Sequence, residues 1–298
     1  MRVFVTGATG FIGSAIVKDL IAAGHDVLGL ARSKEKAAEL EATGAEVLHG
    51  SLEDMDSLKR AAAESDGVIH TAFNHDFSKY LANCEDDRRV IAALGSALDD
   101  SDRPMIVTSG TGMATTAPGR SSTEEDAAAS SVVAPRAASE EAAAALVGKG
   151  GNVSVVRLPQ VHDTTRQGLI TYAIAVAREK GVSGYLGDGR NRWPAAHVLD
   201  TARLYRLALE RAERGARYHA VSEEGVPLRD IAEALGERLK LPVVSIAPQE
   251  AEAHFGWLAA FIHRDVPASS ELTRKRLQWQ PKERGLLADL RELQGFDT

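Results

Sequence analysis

The sequence predicts an α/β protein: a doubly wound parallel sheet, followed by a smaller and mostly helical lobe. Three observations lead there. Over the first 158 residues, short apolar runs alternate with segments of helical period. Strand, helix and strand at this spacing imply crossovers, and right-handed crossovers lay helices on both faces of a parallel sheet. Beyond residue 158 the helical period dominates. The chain of 298 residues, 44% hydrophobic and 26% charged, is long enough for two lobes around a shared core.

In chain order the expected strands are 2–6, 26–31, 46–49, 67–71, 105–108 and 153–158, each a short apolar run such as Val3-Phe4-Val5. The helices expected between them are 12–23, 33–43, 54–64, 77–99 and 136–148. The last of these contains the alanine-rich run 137–145. Alanine is the best helix former, which favours a tightly packed helix over a low-complexity tail. Segment 111–135 reads as a loop, rich in Thr, Ser, Gly and Pro and containing Glu124-Glu125-Asp126. A patternless stretch of that length is usually functional or mobile. In the second lobe, helices are expected at 168–180, 200–214, 227–240, 250–262 and 286–293. Strands are expected at 216–221 and 243–246, the first of them rejoining the sheet.

Composition excludes several function classes. The net charge is −7, and no Lys/Arg cluster stands free of neighbouring acids, so no nucleic-acid partner is expected. No apolar run reaches the roughly 20 residues that cross a bilayer, and no targeting segment precedes Val3, so no membrane partner and a cytoplasmic location are expected. The single cysteine, Cys84, forbids an intrachain disulfide or a multi-thiolate metal site. The nine histidines show no His-Glu-x-x-His spacing, and no metal is expected.

The strongest motif is Thr6-Gly7-Ala8-Thr9-Gly10-Phe11-Ile12-Gly13, directly after the first strand and opening the first helix. One glycine permits the sharp turn, one lets the backbone approach a pyrophosphate, and one lets helix pack on strand. The helix N-terminus offers unpaired N–H groups to phosphate. Strand, turn and helix in this order are the context the motif requires. It makes residues 1–158 a Rossmann-type dinucleotide-binding domain, completed by 216–221. Residues 159–298 are then mostly the substrate-binding lobe.

The Gly-x-x-Gly-x-x-Gly spacing resembles that of the short-chain dehydrogenase/reductase superfamily, in its extended and atypical branch with the nucleotide-sugar epimerases and dehydratases. The resemblance spans nearly the whole chain. Gly50-Ser51-Leu52-Glu53-Asp54 resembles the adenine-side segment, with Ser51 where an Asp is usual. His70-Thr71-Ala72 resembles the segment passing the cofactor ribose, and Val107-Thr108-Ser109-Gly110 the strand that ends in a catalytic Ser or Thr. Arg157-Leu158-Pro159-Gln160-Val161 resembles the nicotinamide-side turn, and His197-Val198-Leu199-Asp200-Thr201-Ala202 the segment after it. The cofactor contacts implied are Gly7, Thr9, Gly10, Phe11, Ile12, Arg32, Ser33, Ser51, Leu52, Thr71, Ala72, Phe73, Pro159 and Gln160.

An NAD-preferring site places an acid at the tip of the second strand. Here the tip reads Leu30-Ala31-Arg32-Ser33-Lys34, and Asp26 lies at the opposite end. A guanidinium beside a hydroxyl suits a 2′-phosphate, so NADP(H) is expected in preference to NAD(H). The alternative is that Arg32 and Lys34 are solvated surface charges.

The family's Tyr proton donor, with its Lys four residues on, is replaced by Arg136 and Glu140. Arg cannot act as an acid near neutral pH, and a carboxylate raises a nearby phenol's pKa. At i and i+4 the two can pair with each other on one helix face, or Arg136 can turn inward to anchor a carbonyl-bearing or anionic substrate. Ser109 and His162 are the other catalytic candidates, each with a structural alternative. Tyr80, Tyr185 and Trp193 are either packing or pocket wall. These residues lead to an NAD(P)H-dependent reductase of a small carbonyl or related compound with an atypical active site. The alternatives are a non-catalytic NADP(H)-binding regulator, or a nucleotide-sugar epimerase or dehydratase. The expected partners are a small-molecule substrate and a second copy in a homodimer, through helices 77–99 and 136–148.

Overall fold

Val3 and Val5 point into one apolar cluster and Phe4 into another, the period-two signature of a strand buried on both faces. The computed structural model describes residues 1–98 and 101–295. Within them, strands β1 (Arg2–Thr6), β2 (Asp26–Ala31), β3 (Glu46–His49), β4 (Gly67–His70), β5 (Met105–Gly110), β6 (Val153–Leu158) and a strand at Arg217–His219 form one seven-stranded sheet. All its pairs are parallel, and Arg217–His219 lies at the edge beside β6. Helices α1 (Phe11–Ala22) and α2 (Lys34–Glu41) cover one face; α3 (Met55–Ala63), α4 (Tyr80–Ser96) and α5 (Ala138–Gly148) cover the other. The order runs β3-β2-β1-β4-β5-β6, so the winding reverses between β1 and β4. Ligands of such sheets bind beyond the strand C-termini at this switch point.

The smaller lobe has its own core around Ile174, Trp193, Leu235 and Leu286. It contains α6 (Ile170–Lys180), α8 (Leu228–Leu239), α9 (Ala251–Phe255), α10 (Ala259–Ile262) and α12 (Leu286–Arg291). Helix α7 (Val198–Arg211) packs instead on α1 under the sheet, and α11 (Glu271–Leu277) lies beside the edge strand, β10 in chain order. Two small sheets complete it: β7 (Gln160–His162), β9 (Arg192–His197) and β11 (Glu223–Pro227), then β8 (Ser183–Leu186) with β12 (Val243–Ile246).

Several elements depart from the sequence reading. The helix expected at 250–262 breaks into α9 and α10 because Gly256 takes a positive φ of 55° with an extended ψ, a conformation open essentially to glycine alone. Strand β9 contains Pro194, a residue that argues against a strand when read from sequence. The helix expected at 77–99 starts at Tyr80, after a short turn capped by Asp76; Asp99 lies outside the described residues. Segment 111–135 is fastened at many points. Arg157 and Arg217 bind the carbonyls of Asp126, Glu124 and Glu125, Glu124 accepts from Thr273, and Glu141 accepts from Ser131.

Candidate active site

The turn after β1 is built for close approach. Gly7 is left-handed at φ 70°, and a Cβ there would stand 2.7 Å from Thr71 Oγ1 and 2.8 Å from Ala72 N. A Cβ at Gly13 would stand 2.0 Å from Gly7 O, so the first turn of α1 can close only on glycine. Gly10 opens α1 with no side-chain cap and no acid in the first turn, which leaves the helix N-terminus to an external anion. These features fit a dinucleotide pyrophosphate. At the tip of β2, Arg32 is exposed and has no carboxylate partner among the described residues, while Ser33 caps α2. Ser51 accepts from Glu53 N, and Leu52 packs against the sheet.

Beyond this turn opens a cleft of about 660 Å³. Its walls include Phe11, Phe73, Pro159 and Gln160 from the sheet side and Leu169, Tyr172, Trp193 and Phe261 from the smaller lobe. Three guanidinium groups, Arg136, Arg166 and Arg264, line it, and no Asp or Glu does among the described residues.

Arg136 is held by neighbours other than Glu140. Its guanidinium donates to Asp87 Oδ2 at 2.9 Å and to the Thr108 carbonyl at 3.1 Å, contacts Ser139 Oγ, and lies 4.3 Å from the Phe73 ring centroid. Asp87 in turn contacts His70 Nε2 at 2.9 Å, and Thr6 Oγ1 meets His70 Nδ1 at 2.7 Å. With Nε2 protonated, a single hydrogen-bonded chain runs from the glycine turn to Arg136. Burial opposes the charge on Asp87, but Arg136 and His70 outweigh it and hold the carboxyl below its usual range. The Nε–H and one terminal N–H of Arg136 keep no protein acceptor among the described residues.

Glu140 faces the opposite way. It takes a forked pair from Arg157 Nε and NH2 at 2.9 and 2.8 Å, and Ser109 Oγ donates to it at 2.7 Å. This corrects the expected Arg136–Glu140 pair. It also corrects the reading of Ser109 as a substrate donor. Ser109 is 4% exposed and spends its proton on Glu140, while the cleft is lined by the residues that follow it, Gly110 to Met113. His162 is corrected too. Its ring is wholly buried, Nδ1 meets Asp289 of α12 at 2.7 Å, and His197 stacks edge-on at 5.7 Å. Trp193 does wall the cleft, whereas Tyr185 lies under Arg229.

Sequence reasoning missed Asp87. The signal was there: on the helix, Asp87 shares a face with Cys84, Val90, Ile91 and Leu94, and an acid on an apolar stripe calls for a partner. His75, Arg166, Arg264 and Phe261 were also missed, since loops and the short helix α10, from distant parts of the chain, bring them together.

The chain belongs to the NAD dependent epimerase/dehydratase family, whose model matches residues 3–222. It is 47% identical over 291 residues, covering 97% of this chain and 98% of the other, to an uncharacterised protein of Schizosaccharomyces pombe. A shorter match, 40% identical over 72 residues, joins 24% of this chain to 22% of a 4-hydroxy-2-methyl-3-oxo-4-farnesyl-3,4-dihydroquinoline-1-oxide ketoreductase of Stigmatella aurantiaca. Among solved structures, dTDP-glucose 4,6-dehydratase from Streptomyces venezuelae with NAD and TYD bound superposes with a TM-score of 0.78 at 21% identity, covering 98% and 96% of the two chains. The family binds NAD(P)-type dinucleotides. No helix among the described residues is long and apolar enough to cross a membrane.

Proposed function

We propose that the protein is an NADP(H)-dependent reductase of a small carbonyl or related compound. The observation that carries this reading is Arg136, fixed on the cleft wall with two N–H groups left over. A developing oxyanion needs donors of this kind, preorganised before the reaction begins. In this reading the α1 N-terminus and the Gly7–Gly13 turn hold the pyrophosphate, Arg32 and Ser33 hold the 2′-phosphate, and Phe11, Pro159 and Gln160 flank the nicotinamide. The bound dinucleotide supplies a hydride. Arg136 then orients the substrate oxygen and stabilises its charge, and the aromatic walls exclude water around it. The ketoreductase match supports the same class, although it touches only a quarter of the chain.

The test is NADPH oxidation across aldehydes, ketones, quinones and imines. Arg136→Ala should lower kcat/KM by about 10²–10³, the usual loss of an oxyanion donor, with NADPH affinity unchanged. A variant that turns over every accepted substrate like the parent would overturn the role of Arg136.

A further inference from the structure

We infer that the carbonyl compound taken by this cleft is a quinone, a flat conjugated dione whose reduced form is a phenol. The inference rests on the reductase reading and narrows it. Two aromatic groups, one from each lobe, enclose the substrate end. From the sheet domain, Phe73 has His75 edge-on at 5.4 Å and Tyr80 at 6.5 Å. From the smaller lobe, Tyr172 meets Trp257 at 4.9 Å, and Trp257 meets Phe261 at 5.9 Å. Tyr172, which lines the cleft, is 38% exposed, and Trp257, which packs against it outside the lining, is 44% exposed, so apolar ring surface beside the cleft is open to solvent. Exposed aromatic surface beside a cleft marks a place where another apolar surface binds. Offset and edge-on ring contacts favour a planar conjugated ligand. A sugar ring, by contrast, wants carboxylate acceptors for its hydroxyls, and none lines the cleft among the described residues.

The chemistry around Arg136 selects within flat carbonyl compounds. Hydride addition to a saturated or aryl ketone leaves an alkoxide, a strong base that must receive a proton during the step. The titratable groups beside Arg136 are poorly suited to give one. Burial pushes the Tyr80 phenol up, with Cys84 beside it adding to the shift, so Tyr80 is a weaker acid than an ordinary tyrosine. Burial, and then the Arg136 charge, push His75 down, so at neutral pH it is an uncharged imidazole. A quinone makes no such demand. It accepts the hydride, two electrons and one proton, from the reduced dinucleotide, which leaves oxidised. One ring oxygen becomes a phenol and the other a phenolate as the ring turns aromatic. A phenolate is the conjugate base of an acid with pKa about 10, stable enough to wait for water to protonate it. Arg136 has only to hold the negative charge.

The experiment compares 1,4-naphthoquinone, acetophenone and cyclohexanone as acceptors of NADPH reducing equivalents, with the protein-free rate subtracted. We expect kcat/KM for the quinone to exceed both ketones by at least 100-fold, and its kcat to stay flat from pH 6 to 9. A second readout needs no turnover: calorimetric binding of 1-naphthol and cyclohexanol to the protein loaded with NADP⁺. 1-Naphthol should bind at least tenfold tighter, and Tyr172→Ala and Phe261→Ala should each weaken it by about tenfold. If either ketone is the better substrate, or 1-naphthol binds no tighter than cyclohexanol, the quinone assignment is overturned while the reductase reading stands. If 1-naphthol binds but no acceptor is reduced, the reductase reading fails and this assignment falls with it.

Discussion

Arg136 and Glu140 stand one helical turn apart at the start of α5, yet each turns to a buried partner of opposite charge on another element. Arg136 goes to Asp87 of α4, and Glu140 to Arg157 of β6. Positions 136 and 140 thus serve two separate ion pairs. One of these faces the cleft, and the other is sealed behind β5.

Asp87 is the anchor of the first pair. Removing one partner of a buried pair strands the other, at a cost of about 3–5 kcal/mol. Asp87→Ala should lower the urea midpoint accordingly, and Asp87→Asn, which keeps a hydrogen-bond acceptor for Arg136, should lower it less. Equal midpoints for Asp87→Ala and the parent protein would show that Arg136 does not depend on it.

Ser109 donates to Glu140 inside the second pair, so Ser109→Ala should behave as a stability variant. The expected loss is about 1 kcal/mol, with kcat on any accepted substrate within twofold of the parent. A drop in kcat of a hundredfold would mean that the hydroxyl reaches the substrate after all.

Arg32 carries the proposed NADP preference. Arg32→Ala should raise the Kd for NADPH by about tenfold or more, the scale of one lost charge-assisted hydrogen bond, and leave the Kd for NADH in place. Fluorescence titration of both nucleotides decides it, and parallel changes would remove Arg32 from the site.

His219 gives a pH signature. Burial pushes its pKa down to about 4, against the pull of Glu124 and with a further push from Arg157. In the unfolded chain the value is about 6.5. Above that pH both states are neutral and the full stability is present. As the pH falls from about 6.5 to about 4 the unfolded chain takes up the proton first, so stability is lost across that window. Denaturation midpoints at pH 7.5 and 5 should differ less in His219→Gln than in the parent; identical differences would exclude His219 as a source.

The sheet was legible because most of its strands carry short apolar runs, such as Val3-Phe4-Val5 and Met105-Ile106-Val107, spaced by segments of helical period. The glycine turn was legible because Gly7 and Gly13 occupy positions where any Cβ would strike backbone. The cleft wall was much less so. Ser109 lies in β5, whereas Thr111 lies in the short turn that follows, and a linear sequence does not show that the strand stops at Gly110, between the two. His162 looked available because its partner, Asp289, lies 127 residues further on. The Arg136–Glu140 spacing suggested a local pair because i,i+4 contacts are the ones a linear sequence displays, whereas Asp87 and Arg157 come from α4 and β6.

The two pairs restrict what single substitutions can do. Arg136→Tyr alone would leave the Asp87 carboxylate buried against His70 without its guanidinium. Glu140→Lys alone would set a second cation against the wholly buried Arg157. Each substitution made alone leaves a buried charge without its partner. Residues 87, 136, 140 and 157 are therefore locked to one another: a change at 136 or 140 is tolerated only when the partner at 87 or 157 changes with it.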